Sequence, residues 1–212
     1  MNYRTPICAA ALCAPFAFAS GAAAQGWNWS YGADMTSDYI DSGVSKSDGF
    51  AIQPWVELEN SGFYFGAWGS NVDIGTADKW QYDLYTGYRS NVGTNFAYDL
   101  GLVRKSYDDT GYDSSEAAVG LTYTFDNAMY VKGYAAYDWS NKNYNRYAQG
   151  GYDIGDRWRT SARYGVDDGA ASDHYWDVGA EYAFTDAISF DMRYHGRDGD
   201  DEGVVGMLKF AF

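Results

Sequence analysis

M-L-K-F-A-F (207–212) ends the chain, alternating apolar side chains with others up to a terminal Phe212. A carboxylate on a core phenylalanine is costly to desolvate, and a free tail is usually small and polar. The ending therefore reads as a strand used to its last residue. Extended backwards, Val204, Gly206, Leu208, Phe210 and Phe212 share one face, while Val205, Met207 and Lys209 share the other. The same period of two recurs along the chain. In W-N-W-S-Y-G-A-D-M-T (27–36), Trp27, Trp29, Tyr31, Ala33 and Met35 oppose Asn28, Ser30, Gly32, Asp34 and Thr36. In A-I-S-F-D-M-R-Y-H (187–195), Ile188, Phe190, Met192 and Tyr194 oppose Ser189, Asp191, Arg193 and His195.

Twelve such stretches centre near residues 31, 55, 66, 84, 100, 120, 133, 149, 162, 179, 191 and 208. Their polar faces carry carboxylates, Arg, Gly and Ser in mid-strand. A soluble sandwich would bury the apolar faces and turn those charges to water. A membrane barrel does the inverse, apolar to lipid and charged to a wet lumen. Connection lengths separate the two. Short links at 59–62, 125–128, 153–156 and 184–187, with a somewhat longer one at 89–95, alternate with acidic ones at 41–49, 71–79, 106–115, 167–173 and 196–203. Short turns at one rim and long loops at the other are the pattern of an outer-membrane barrel. The expected fold is all-β: a transmembrane, up-and-down antiparallel β-barrel of about 12 strands, located in a bacterial outer membrane. Phe212 then ends at the membrane–water boundary, where its carboxylate stays wet. Pro54 predicts a bulge or irregular pairing, because it removes a ladder donor that a closed sheet needs.

At the other terminus, Arg4 precedes an apolar run, I-C-A-A-A-L-C-A-P-F-A-F-A (7–19), too short to span a bilayer, and Ala22-Ala23-Ala24 precedes Gln25. This predicts a cleaved signal peptide over 1–24 and a barrel over 25–212. Both cysteines, Cys8 and Cys13, fall in the leader, so disulfides and thiolate metal sites are not expected in the barrel. A formal charge of -14 excludes nucleic acid as a partner, which would need a basic face. With 21 Tyr, 11 Phe and 8 Trp the chain is too aromatic for a disordered acidic tail.

The blocks T-S-D-Y-I-D-S-G-V-S-K-S-D-G (36–49), G-F-Y-F-G-A-W-G-S-N-V-D (62–73) and Y-D-L-Y-T-G-Y (82–88) resemble the TorF-type porin family, outer-membrane proteins of unknown function. The resemblance covers essentially the whole chain after residue 24 and implies a small barrel with a channel role. The family pattern has an aromatic and an Arg just before the glycine of the first block, where this chain has Asp41 and Ser42 before Gly43.

By parity the lumen would be lined by Asp83, Asp99, Lys132, Arg159, Arg163, Asp177, Glu181, Asp191, Arg193 and Lys209. Asp34, Glu57, Glu116 and Asp138 share the same inward parity. Arg159 and Arg163, with Asp191 and Arg193 two strands on, are expected to form a charged constriction. Two functions fit: a narrow pore passing small polar or ionic solutes with weak cation preference, or a salt-bridged, closed barrel presenting acidic loops to a partner. His174 and His195, the only two histidines, have no nucleophile motif nearby, so no enzyme and no cofactor is expected. The acidic runs 108–113 and 198–202 do not match a calcium loop and predict no metal site. Arg104, Arg146 and His174 have outward parity near the long-loop rim; Arg104 and Arg146 are expected to meet lipopolysaccharide phosphates. Leu208, Phe210 and Phe212 are expected to be read by the barrel assembly machinery.

Overall fold

The computed structural model describes residues 26–168, 172–199 and 202–212; the expected leader, 1–24, lies outside them. The strands are β1 (Asn28–Thr36), a small hairpin β2 (Ile40–Asp41) and β3 (Val44–Ser45), then β4 (Ala51–Asn60), β5 (Phe63–Asn71), β6 (Trp80–Val92) and β7 (Phe96–Tyr107). There follow β8 (Gly111–Thr124), β9 (Met129–Asp138), β10 (Asn143–Ile154), β11 (Trp158–Asp168), β12 (Ser172–Ala183), β13 (Ile188–Arg197) and β14 (Gly203–Ala211). Among the described residues, every strand except β2 and β3 belongs to one closed antiparallel barrel of twelve, in which β1 pairs with both β4 and β14. Each centre read from the alternation falls inside one of these twelve strands.

Closure removes the sheet edges, so each strand has a ladder partner on both sides. The last residue helps to close it: Tyr31 N–H donates to the Phe212 carbonyl at 3.0 Å, and Phe212 N–H donates to the Tyr31 carbonyl at 2.8 Å. The faces follow the alternation. Leu84, Leu100, Leu102, Leu121, Val131, Val178 and Met192 are exposed on the outside, while Asp34, Glu57, Asp83, Asp99, Lys132, Asp177 and Asp191 are buried inside. Aromatic rings gather toward the two rims. At the short-turn rim Trp27 meets Phe65 at 5.3 Å and Trp158 meets Tyr182 at 4.8 Å. At the other, Tyr137 meets Tyr144 at 4.5 Å and Trp176 meets Tyr194 at 5.4 Å.

One expectation about strand ends needs correction, and the irregularity expected at Pro54 lies on one side only. The connection expected at 106–115 is mostly strand, and the 89–95 link begins as strand. β7 runs to Tyr107 and β8 starts at Gly111, so 108–110 is all that links them, and β6 continues past Arg89 to Val92. A hairpin that leaves the barrel still pairs its own backbone groups, so polar sequence does not end a strand there. Pro54, for its part, makes no bulge against β1, where Ala33 faces it in unbroken register. The irregularity is on the β5 side, where pairing begins only at Trp55 and Trp68. Asn71 fills in: its Oδ1 accepts from Ile52 N–H at 2.8 Å, and its Nδ2 donates to the Phe50 carbonyl at 3.0 Å. Ile52 and Pro54 point their backbone to the same side, so the missing donor lies where the ladder has already parted.

At the long-loop rim, 72–79 is clasped to the turn 108–110 by two carboxylates. Asp78, buried, accepts from Thr110 N–H at 2.8 Å, from Asp109 N–H at 3.1 Å and from the Thr76 hydroxyl at 2.7 Å. Asp108 accepts in return from Lys79 N–H at 2.9 Å and Trp80 N–H at 3.1 Å. The Thr110 amide, above all, holds Asp78 below the usual 3.8, and the Lys79 amide does the same for Asp108. A carboxyl depressed in the folded state stabilises it above the ordinary value, and that stabilisation is lost as pH falls through the depressed one. Amide protection at Thr110 and Lys79, corrected for intrinsic exchange, should therefore hold from about pH 7 to about pH 4 and collapse below it. Protection that persisted unchanged well below about pH 4 would show that the carboxylates do not hold the clasp.

Candidate functional site in the barrel lumen

Antiparallel register sets opposite charges side by side on the inner wall. Arg163 on β11 faces Asp177 on β12, and Asp153 on β10 faces Arg159 on β11. The result is a connected network. Arg163 Nε and Arg193 Nη1 each donate to Asp177 at 2.5 Å, and Arg193 Nη2 reaches Asp191 at 3.1 Å. Lys209 on β14 extends it, 3.1 Å from Glu181 and 3.9 Å from Asp191. Arg159 does not join them as expected. Its Nε donates instead to Asp153 on β10 at 2.6 Å, across the strand pair where the two residues are opposite.

The opposite wall has its own pairs. Arg89 donates to Glu57 at 2.5 Å and lies 3.9 Å above the Tyr64 ring, whose hydroxyl donates to Asp99 at 2.6 Å. Lys105 bonds Glu116 at 2.7 Å, and Gln81 donates to Asp83 at 2.9 Å. Lys132 sits 5.5 Å from the Tyr147 ring and 5.7 Å from that of Tyr134. All ten candidates read from the sequence thus lie on the inner wall. Arg89, Lys105 and Arg197 were missed there. Their parity matches Asp83, Asp99 and His195 on the same strands, but each lay in or beside a presumed loop.

The segment 37–50, of which 41–49 was expected to be an outer acidic loop, turns inward. Its hairpin, β2 and β3, crosses the lumen from the β1–β4 side to the far wall. There Asn145 donates to the Ser42 hydroxyl at 2.7 Å and Arg197 donates to the Ser42 carbonyl at 2.6 Å. Its root packs Tyr39, buried, edge-on to Trp68 at 5.4 Å. This strap divides the remaining space. One cavity of about 180 Å³ is lined by five carboxylates, Asp41, Asp113, Glu116, Asp138 and Asp167, against Lys46 and Lys105. The other, of about 120 Å³, balances Asp38, Asp177 and Asp191 against Arg163, Arg193 and Lys209, with His195 beside them.

Outside the lumen, His174 bonds the Tyr164 hydroxyl through Nδ1 at 2.7 Å. Arg104 lies 4.4 Å over the Tyr112 ring, and Arg146 is paired with Asp168 at the rim. Among the described residues no cluster of His, Cys, Asp and Glu is arranged to hold a metal ion.

A family model described as a bacterial protein of unknown function, Gcw_chp, matches residues 20–211. The chain belongs to that family. Among solved structures it is similar to the KdgM porin, with a TM-score of 0.68 at 9% identity, covering 86% of this chain and 98% of that one. A complex of the KdgM porin with disordered oligogalacturonate gives a TM-score of 0.63 at 8% identity, covering 87% and 97%. The NanC porin gives 0.55 at 10% identity, covering 87% and 98%. No curated protein matches the chain. At such identities the likeness is one of fold: this family member has the closed barrel of those porins.

Proposed function

We propose that the chain is an outer-membrane porin that passes small polar or ionic solutes through a narrow, charge-lined pore with a weak preference for cations. One observation carries the reading: a closed twelve-strand barrel with an apolar band between aromatic rims outside, and charges around solute-sized space inside. That inversion suits a wall in lipid around a wet lumen. Its place in the bacterial outer membrane is part of the same proposal. The blocks 36–49, 62–73 and 82–88 support the narrower reading as a TorF-type porin. The cation preference rests on the five-to-two excess of carboxylates around the larger cavity. For the same reason a polyanion such as oligogalacturonate, which the KdgM complex contains, is not the solute proposed here.

The test is the conductance of the refolded protein in planar bilayers across a potassium chloride gradient. Discrete steps are expected, with a reversal potential leaning to the cation. That lean should shrink between about 0.1 M and about 1 M salt, as the screening length falls from about 10 Å to about 3 Å. An anion-leaning reversal would refute the selectivity. A folded barrel that never conducts would refute the pore and favour a closed barrel, a reading the strap and the paired charges already support.

A further inference from the structure

We propose that the strap is a latch: its tip, Ser42–Gly43, seats reversibly on Asn145, Tyr175 and Arg197, and leaving that seat opens the lumen. The inference rests on the pore reading only for what opening does; the latch itself is a statement about the strap.

The seat is built before the tip arrives. Arg197 is held by Asp173 at 2.7 Å, and the Asn145 carbonyl oxygen accepts from the Tyr175 hydroxyl at 2.7 Å. Their remaining donors point at the tip. Gly43 adopts a φ of 81°, and a Cβ there would stand 2.8 Å from the Arg197 Cβ and 3.1 Å from that of Tyr175. Only glycine lets the tip come this close.

Root and tip are held unequally. At the root, Lys46 N–H donates to the Tyr39 carbonyl at 2.7 Å, Asp73 N–H donates to the Lys46 carbonyl at 2.7 Å, and the Tyr39 ring is buried. The tip is held by hydrogen bonds of Ser42 to Asn145, Arg197 and Tyr175 and by the glycine contact. Hydrogen bonds beside water contribute about tenfold each to such an equilibrium, so the unseated tip is a minor state of about 1% or less. A strong root and a weak preformed seat together make a two-state element rather than a fixed plug.

Thiol labelling of Ser42→Cys reads the latch without requiring conduction, because Ser42 is buried at the tip and residues 25–212 contain no cysteine. Folded Ser42→Cys is compared with Ser42→Cys/Arg197→Ala and Ser42→Cys/Gly43→Val, with folding checked by heat-modifiable gel mobility. Arg197→Ala should speed labelling about tenfold and Gly43→Val by more, and both should raise conductance in bilayers. The proposal falls if neither substitution changes labelling, if Ser42→Cys alone labels as fast as with Gly43→Val, or if conductance rises while labelling does not. Faster labelling with no conductance in any variant would uphold the latch and refute the pore.

Discussion

Asp177→Ala is expected to lower the stability of the folded barrel by about 3–5 kcal/mol, read as the shift of its urea unfolding transition in detergent or lipid. Asp177 is 2% exposed and binds two guanidinium groups, each at 2.5 Å, whose side chains are 12% and 20% exposed. Removing it does not strand both equally. Arg193 keeps Asp191 at 3.1 Å. Among the described residues Arg163 keeps ring faces, Tyr147 at 5.3 Å and Tyr175 at 5.5 Å, and no second carboxylate bond, so it becomes the uncompensated charge. Most of the loss should therefore be recovered in Asp177→Ala/Arg163→Met, because a buried pair replaced by apolar groups costs far less than a broken one. The rim pair Arg146–Asp168 is the control: Arg146 is 53% exposed, and Arg146→Ala should cost about 1 kcal/mol or less. In bilayers the single variant should also move the reversal potential toward anions, since it adds net positive charge to the wall of the smaller cavity. A loss no larger than that of Arg146→Ala would mean that lumenal water already screens the network.

The pairing behind this result was legible in part. Parity alone put Arg163, Asp177, Asp191 and Arg193 on one face, because a period of two leaves no other choice once strands are assigned. Which charges touch was not legible, since that depends on register. Arg159 shares a strand and a face with Arg163, yet register brings it Asp153 rather than the Asp177 network. Strand ends were the weak point. Lys105 and Arg197 precede acidic, glycine-bearing runs that look like loops, and the hairpins simply continue through them.

The strap shows a deeper limit. D-S-G-V-S-K-S-D-G (41–49) is polar and glycine-bearing, and nothing local in it says that it folds inward. Its seat is written 103 residues away at Asn145 and 155 residues away at Arg197. Donors on a far wall meet the strap only after the barrel has closed, so a local reading could not find them. Asp41 and Ser42, where the chain departs from the TorF-type pattern it resembles in sequence, fall at this tip.

Closure itself carries the last expectation: Gly32→Val should prevent the barrel from completing. The register between β1 and β14 runs from Gly32 to Thr36, with Tyr31–Phe212 and Ser37–Gly206 hydrogen bonds at its ends, while β6 and β7 pair from Gln81 to Val92. This short seam joins the two ends of the chain, so it forms against the largest loop-closure entropy in the fold. Gly32 faces Ala211 across the seam and Trp55 on its other side. A Cβ at Gly32 would sit 2.0 Å from the Phe210 carbonyl oxygen and 2.8 Å from the Trp55 ring. Trp55 could turn, but a backbone carbonyl of the closing strand can retreat only by opening the ladder. Overpacking of this kind costs about 3 kcal/mol or more, and it falls on one of the shorter pairings in the barrel. Gly133→Val on β9 is the matched control, because a Cβ there meets nothing within 4 Å. Refolding followed by heat-modifiable gel mobility should show Gly133→Val in the compact form and Gly32→Val almost entirely in the unfolded one. Equal yields would mean that β14 can slide past Gly32, and that register at the seam is softer than its hydrogen bonds imply.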